Sequence, residues 1–468
     1  MSADELLTTI SPTTNLPILT RPAATPASLT ALVTTSTAAF KTWSKTPLSE
    51  RQSIVRKALD ILRSKKDEYA QELTAQMGRP IAYTGVEVTT AAKRGDYLLK
   101  ISGEALQDTP GEEEVGFKRY IRKLPVGPVL ILFAWNYPYL ILINSLLPAL
   151  LAGNTVILKP SPQTPTIVEN LSSIFAAAGL PEGVLTYFHS GTPAVIDTII
   201  RNPSIALIAF TGSVAGGLAV QKTAAERIVP VTLELGGKDA AYVRADVDVA
   251  WAAAEIVDGA VFNSGQSCCS IERVYVHASI HDAFVAEVQK VLAGYKLGDP
   301  SDPTTHVGPV ISRRAQAAIE GQISDAVLAG ARILTPSNAS FESPPPEGNF
   351  VAPTLLVDVT HEMAIMTEET FGPVIPVMRV ADDAEAIKLM NDSVFGLTGS
   401  IWTKDVERGE ELAGEVEAGT VFVNRCDFPS ADLAWTGWKE SGRGVTLSRF
   451  GFEGFVRLKS LHLKDYPK

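Results

Sequence analysis

Between residues 128 and 234 the chain repeats one pattern, and that pattern limits its possible folds more than any other feature. Short apolar runs alternate with stretches of helical length. "PVLILFA" reads as a strand, Pro138 to Ala152 as a helix, "TVILK" as a strand and Pro165 to Ala178 as a helix. "VLTYF" is a strand, Thr192 to Arg201 a helix, "IALIAF" a strand, Ser213 to Glu226 a helix and "VTLE" a strand. Apolar strands joined through helices by Gly/Pro turns indicate a parallel α/β sheet. Ligands bind such sheets at the carboxyl ends of the strands.

The chain has 468 residues, more than one core usually holds, so two or three domains are expected. Residues 27 to 106 carry apolar residues at three- and four-residue steps and read as helices. "GEEEVGFKRYIRKLPVG" breaks that rhythm and looks like a short strand leaving the main body. A second α/β region starts near Leu235. Its clearest helix is "SIHDAFVAEVQKVLAGY", with Phe284, Val288, Val291, Leu292 and Tyr295 on one stripe. "TPSNASFESPPPEGN" reads as a surface loop. The tail "FVRLKSLHLKDYPK" alternates like an edge strand, which another subunit could pair.

Several function classes are disfavoured. A net charge of −11 argues against a nucleic-acid groove, because neutralising phosphates needs a basic surface. The apolar stretch Gly127 to Gly153 raises the question of a membrane span. Asn136, Pro138, Asn144 and Pro148 interrupt it, so a strand, a loop and a buried helix explain it better. Three cysteines in so long a chain fit a reducing, cytoplasmic compartment. The first residues lack the pattern of a signal peptide, and "KDYPK" matches no retention address. The sequons at Asn170, Asn338 and Asn391 read as chance. The six histidines show no metal-ligand spacing, so no metal is expected.

"FNSGQSCCS", Phe262 to Ser270, places Cys268 and Cys269 side by side after a small turn. The pair lacks the spacer of a thioredoxin-like motif, and a vicinal disulfide is strained. A buried apolar cysteine is the bland alternative. Gly265 relieves backbone crowding, and a small loop can aim N–H groups at a thiolate or a developing oxyanion. A nucleophile needs partners. In "LELGGK", Glu234 ends an apolar strand, where partial desolvation raises a carboxyl pKa toward that of a general base. In "FAWNYP", Asn136 follows another apolar strand, and its amide can donate without adding charge. Each has a bland counterpart, an exposed strand-end Glu or an Asn fixing the turn before Pro138.

From about residue 27 to its end the chain resembles the aldehyde dehydrogenase superfamily. The matching stretches include "FAWNYP", "GNTVILKPSPQTP", "GLPEGV", "FTGSVAGG", "LELGGK", "FNSGQSC", "LGDP", "EETFGPV", "MNDSVFGLTGSIWT" and "WTGWKESGRG", in the family's order and spacing. The resemblance implies a Rossmann-type cofactor domain (1–106 and 125–234), an α/β catalytic domain (235–438, with 439–452 returning) and oligomerisation strands (107–124 and 453–468). It implies Cys268 as nucleophile and Cys269 as passive neighbour. Asn136 and the Cys268 N–H would hold the oxyanion. The thiohemiacetal would expel hydride to a nicotinamide, and Glu234 would activate water against the resulting thioester. A CoA-acylating enzyme and an idle binding protein on the same fold are the alternatives. Intact Cys268, Glu234 and Asn136 argue against the second.

Cofactor positions implied in the same way are Trp135, Lys159, Ser161, Pro162, Gly212, Ser213, Gly217, Leu235, Glu369 and Phe371. Gly212 and Ser213 would lie nearest the pyrophosphate, at a helix N-terminus. Many NAD-using relatives carry Glu where this chain has Pro162. Proline cannot bind ribose hydroxyls or repel a 2′-phosphate, so the cofactor is NAD or NADP. The implied substrate pocket falls on Tyr137, Ile141, Asn144, Arg425, Phe428 and Trp435. Arg425 is a candidate for a substrate carboxylate or for pairing with Asp427 or another acid. "VNRCDF" and "CSIERVYV" look more like the lactaldehyde/glycolaldehyde-oxidising branch than the retinal or fatty-aldehyde branches. The implied partners are a small-molecule aldehyde and a second copy of the chain, as dimer or tetramer.

Overall fold

The computed structural model describes residues 6–466. The expectations made for residues 1–5 and 467–468, at the two ends of the proposed organisation, lie outside the described residues. Helices Pro26–Trp43, Leu48–Ser64, Lys66–Met77 and Ile81–Leu106 precede the first sheet, as the periodicity predicts. An antiparallel hairpin, Leu6–Ile10 with Pro17–Pro22, comes before them and was not anticipated.

Six strands form the first sheet, in the order Gly442–Arg443, Val231–Glu234, Leu207–Thr211, Pro128–Leu132, Thr155–Lys159, Leu185–Tyr187. All neighbours are parallel except the Gly442–Arg443 edge. Pro128–Leu132 is buried at every position. Val129 and Ile131 face one core and Leu130 and Leu132 another. A strand's side chains alternate between faces, so a sheet covered on both sides makes the whole strand apolar. That is why the segment reads as a continuous run.

The second sheet has seven strands, ordered Arg332–Ile333, Thr354–Val357, Val374–Val380, Ile271–His277, Asp239–Val243, Thr398–Trp402, Thr420–Val423. It is parallel apart from its short first strand. Ala241 and Val243 face one core, and Ala240 and Tyr242 the other. The expected helix appears as His281–Ala293, with Phe284, Val288 and Leu292 buried. Val291 and Tyr295 are only partly buried against the same core. The segment read as a loop near 335–349 contains a one-turn helix, Ala339–Glu342, capped by Asn338.

A third sheet stands apart: the tail strand Val456–Lys464 pairs antiparallel with Phe117–Pro125, which also pairs with Thr109–Pro110. The tail's outer edge has no partner strand among the described residues. No described helix is long and apolar enough to cross a membrane.

Candidate active site

The two large sheets meet across one cavity of about 220 Å³. From the first sheet it receives Asn136, Thr211 and Glu234, which lie at or beyond strand carboxyl ends. From the second it receives Cys268, three residues before Ile271–His277 begins.

The loop that presents Cys268 is built under strain. Asn263, Ser264 and Gly265 all have left-handed backbones, with φ of 54°, 59° and 69°. Non-glycine residues held there cost on the order of 1–3 kcal/mol each, so the surroundings must over-determine them. They do. Asn263 Oδ1 accepts from Arg79 Nε at 3.0 Å, Ser264 Oγ donates to the Gly308 carbonyl at 2.9 Å, and Gln266 Oε1 accepts from Ile311 N at 2.8 Å. A Cβ on Gly265 would lie 2.1 Å from the Gly372 carbonyl oxygen, which excludes every other residue.

The adjacent thiols have different surroundings. Cys268 is half-buried at the cavity. Cys269 is 4% exposed, and its Sγ donates to Asp427 Oδ1 at 2.9 Å. The neighbouring Cys268 thiol, then burial and the Asp427 carboxylate, push the Cys269 thiol well up. Asp427 also accepts from Ser267 Oγ at 3.0 Å, and burial raises its carboxyl to about 6.

The other two catalytic candidates arrive from the first sheet. Asn136 is buried, and its Nδ2 donates to the Gln266 carbonyl at 3.3 Å, two residues before Cys268. Its own carbonyl accepts from Arg79. Glu234 ends its strand and accepts from Thr446 Oγ1 at 2.5 Å. Burial raises its carboxyl, opposed by the Thr446 hydrogen bond and the Arg94 charge.

Of the expected pocket residues, Tyr137, Ile141, Asn144, Phe428 and Trp435 line this cavity. Arg425 does not; its guanidinium sits 3.6 Å over the Phe428 ring. It makes no ion pair with Asp427 either, whose Oδ1 is taken by Ser267 and Cys269. The aromatic face offers a cation a nearby alternative to a carboxylate, so both roles considered for Arg425 are corrected.

Sequence reasoning missed the charges of the helical wall. Arg79 pairs with Glu87 in the wall of the cavity, each side chain 1% exposed. Arg94 lines the cavity with its Nη1 on Asn144 Oδ1 at 2.9 Å. It also missed Lys238 and Glu272, a buried pair at 2.7 Å. Glu272 accepts from Thr370 N at 2.7 Å and Phe371 N at 2.8 Å, fixing the turn that carries Glu369 and Phe371.

The cofactor-side candidates lie around the carboxyl ends of the first sheet. Ser213 caps helix Val214–Ala224 by accepting from Gly216 N at 3.2 Å, beside Gly212. Gly217, inside that helix, packs against the Leu235 side chain. Trp135 meets Phe371 edge to face at 5.8 Å. Glu369 accepts from Gly237 N at 3.1 Å, and burial raises its carboxyl to about 7. Lys159 ends Thr155–Lys159 and makes no side-chain hydrogen bond or ion pair among the described residues; burial lowers its ammonium to about 8. Ser161 Oγ accepts from Gln163 N at 3.2 Å, and the Pro162 carbonyl accepts from Thr9 Oγ1 at 2.8 Å, which ties the N-terminal hairpin onto this loop. A half-buried cation without a counter-ion among the described residues, and a helix N-terminus at the carboxyl end of the same sheet, fit an anionic dinucleotide. A carboxylate and two aromatic rings nearby fit its nicotinamide end.

Comparison with known proteins shows the family of the chain. The model described as "Aldehyde dehydrogenase family" matches residues 1–461. A succinate-semialdehyde dehydrogenase (NADP(+)) of Mycolicibacterium paratuberculosis is 34% identical over 458 residues, covering 97% of this chain and 96% of that protein. A 3,6-anhydro-alpha-L-galactose dehydrogenase of Streptomyces coelicolor is 30% identical over 467 residues, covering 99% and 94%. The crystal structure of succinic semialdehyde dehydrogenase from Streptococcus pyogenes in complex with NADP+ is 30% identical, with a TM-score of 0.92 over 98% of this chain and all of that one.

Proposed function

The chain belongs to the aldehyde dehydrogenase family, and from that membership we propose how its residues divide the oxidation of an aldehyde to a carboxylic acid. Cys268 attacks the aldehyde carbon, forming a C–S bond while the carbonyl electron pair moves to oxygen. Asn136 Nδ2 and the Cys268 N–H hold that oxygen. The nicotinamide cofactor, when bound, supplies the acceptor for the hydride that leaves the same carbon. Cys268 then carries a thioester. Glu234 takes a proton from water, the water oxygen attacks the thioester carbon, and the C–S bond breaks to release the acid. The observation that supports this reading is the cavity shared by Cys268, Asn136 and the half-buried Glu234.

Lys159 and Ser161 would hold the adenosine ribose, with Pro162 bordering it without a hydrogen bond, Gly212, Ser213 and Gly217 the pyrophosphate, and Trp135, Leu235, Glu369 and Phe371 the nicotinamide end. NADP is the cofactor favoured by two features. Pro162 offers no carboxylate to the ribose. Glu169, the acid beside this loop, is engaged by Arg21 at 2.6 and 2.8 Å. The domain division is 1–106 with 125–234 for cofactor and 235–438 for catalysis. The three-stranded unit, segments 107–124 and 453–468, joins subunits into a dimer or tetramer, and the enzyme works in the cytoplasm.

The test is a stopped-flow absorbance assay over an aldehyde panel with NAD and NADP. Glu234→Gln should keep the first burst of reduced cofactor and lose at least about 10²-fold in turnover, the scale of general-base catalysis. Wild-type turnover should fall as pH drops through the raised Glu234 pKa, where the base becomes protonated. Turnover that requires added CoA would overturn the hydrolytic reading.

A further inference from the structure

The wall of the cavity carries a charge that takes no direct part in the chemical steps, although it opposes the rise of the Glu234 pKa. Arg94 lies in helix Ile81–Leu106, is 7% exposed and lines the cavity that holds Cys268. It makes no ion pair among the described residues. Its hydrogen bonds go to neutral oxygens: Nη1 to Asn144 Oδ1 at 2.9 Å and to the Leu140 carbonyl at 3.4 Å, Nη2 to the Pro429 carbonyl at 3.1 Å. A guanidinium has five N–H donors. The Nε–H and one Nη2–H are left without partners among the described residues. The acids nearby are otherwise engaged. Glu87 is paired with Arg79, Glu234 accepts from Thr446, and Asp427 accepts from Ser267 and Cys269.

Two further features point the same way. Tyr137 Oη, in the wall of the same cavity, is buried without a hydrogen-bond partner. Outside, a groove of about 540 Å³ bordered by Lys66, Asp67 and Lys93 meets the cavity at Val86 and Thr90, which line both. Two lysines against one aspartate give this approach a net positive charge, which favours arrival of an anion.

We propose that Arg94 is the specificity-determining residue of this pocket, receiving a carboxylate at the far end of the aldehyde substrate, with Asn144 as the positioning residue that aims the guanidinium. The proposal rests on the aldehyde-oxidising reading above. Two adjacent free N–H donors suit the two oxygens of a carboxylate. Burial lowers Arg94 only to about 10, so it stays charged at neutral pH. Leu140 and Asn144 lie four and eight residues beyond Asn136. The helix that carries both starts at Pro138, past the oxyanion residue, so Arg94 sits beside its first two turns and apart from Asn136. The substrate class is therefore a linear oxo-acid, with an aldehyde and a carboxylate at separate ends of one chain.

The experiment compares kcat/KM for succinate semialdehyde and for n-butanal, which share four carbons and differ in the anion. Wild type should favour the semialdehyde. Arg94→Met should reduce that preference about 10²-fold, the weight of a charge-assisted bidentate contact. Arg94→Lys should recover part of it, and Asn144→Leu should lower it less than Arg94→Met. Equal losses on both aldehydes would make Arg94 a scaffold residue and overturn the proposal, as would a wild type that prefers butanal. Failure to oxidise any aldehyde would instead overturn the functional reading. If Arg94→Met does not fold, inhibition of the wild type decides. Butyrate should compete with aldehyde at least about tenfold more tightly than butyramide, and equal inhibition rejects the carboxylate site.

Discussion

The two sheets place their charges in opposite ways. Around the cavity, at the carboxyl ends of the six-stranded sheet and the amino ends of the seven-stranded one, charges are deep. Lys238 and Glu272 are 0% and 3% exposed, and Lys159 and Arg94 have no acid bonded to them among the described residues. At the opposite, carboxyl end of the seven-stranded sheet lies a groove of about 600 Å³ lined by Arg244, Asp246, Asp383 and Arg408. There the charges satisfy one another in reach of water. Arg244 Nε and Arg408 Nε both donate to Asp383, at 2.9 and 3.1 Å, with side chains 20% to 37% exposed. The general rule puts ligands at strand carboxyl ends, and the six-stranded sheet follows it. The seven-stranded sheet contributes to the site from its other end. The contrast teaches that carboxyl-end placement is less informative than solvation. A buried charge lacking a counter-ion is costly and points to a missing ligand, whereas a half-exposed network is complete as it stands.

The sharpest way to break the contrast is at the junction itself. Cys268→Ala should abolish reduced-cofactor formation, including the first burst, because no thiohemiacetal forms. Cys269→Ala, which removes a thiol already bound to Asp427, should remain active. Stopped-flow absorbance checks both, and an active Cys268→Ala beside a dead Cys269→Ala would exchange their roles.

Next in size is the buried pair. Lys238→Met leaves Glu272 buried without its cation, and removing one partner of such a pair costs about 3–5 kcal/mol. Glu272 also holds the Thr370 and Phe371 amides. Denaturant unfolding should show the loss. A stability change below about 1 kcal/mol would mean that water reaches the pair.

The site was legible in the sequence where chemistry sits at a strand end. Glu234, Asn136 and Cys268 each border an apolar run and a small or turn-forming residue, so the backbone announces them. Arg94 and Glu87 were not legible. They lie inside a long helix, in a stretch whose charges look solvated, and only packing against Pro138–Ala152 buries them. A signal existed: Glu87 and Arg94 fall on the same stripe as Ala91 and Leu98, at helical spacing. Charges on an apolar stripe need a reason. The sheet order of the second half was equally hidden, because its first strand, Asp239–Val243, lies centrally and one of its two neighbours, Thr398–Trp402, comes from over 150 residues away. Arg425 was misplaced for the opposite reason. The chain beyond Thr420–Val423 doubles back along helix Val249–Val261, where Cys426 Sγ approaches the Glu255 carbonyl at 3.8 Å. Left-handed Asn424 and Asp427, with φ of 59° and 45°, make that reversal, and neither was evident from pattern.

At the rim of the six-stranded sheet the expected effect is smaller. Pro162→Glu adds the ribose-binding carboxylate that this loop lacks and opposes a 2′-phosphate. A charge-assisted hydrogen bond contributes about 1.5–3 kcal/mol, and 1.4 kcal/mol is about tenfold. The ratio of kcat/KM for NAD over NADP should therefore rise by roughly one to two orders of magnitude. A wild type already strongly selective for NAD would show that another group reads the ribose.

The smallest effect belongs to the open groove. Arg244→Met removes a cation that bonds Asp383 and Thr403. Arg408 remains on the same carboxylate, and water replaces what is lost. Its pKa is raised by the Asp383 hydrogen bond and charge, against burial, which is the larger single influence and opposes them. Screening at a partly solvent-accessible site reduces such a contact to about 1 kcal/mol. Denaturant unfolding should register little change, and kcat/KM on any good aldehyde should stay at the wild-type value, since the groove and the cavity lie at opposite ends of the same strands. A loss of activity without a loss of stability would break the comparison, because it would mean that the strands transmit the state of one end to the other.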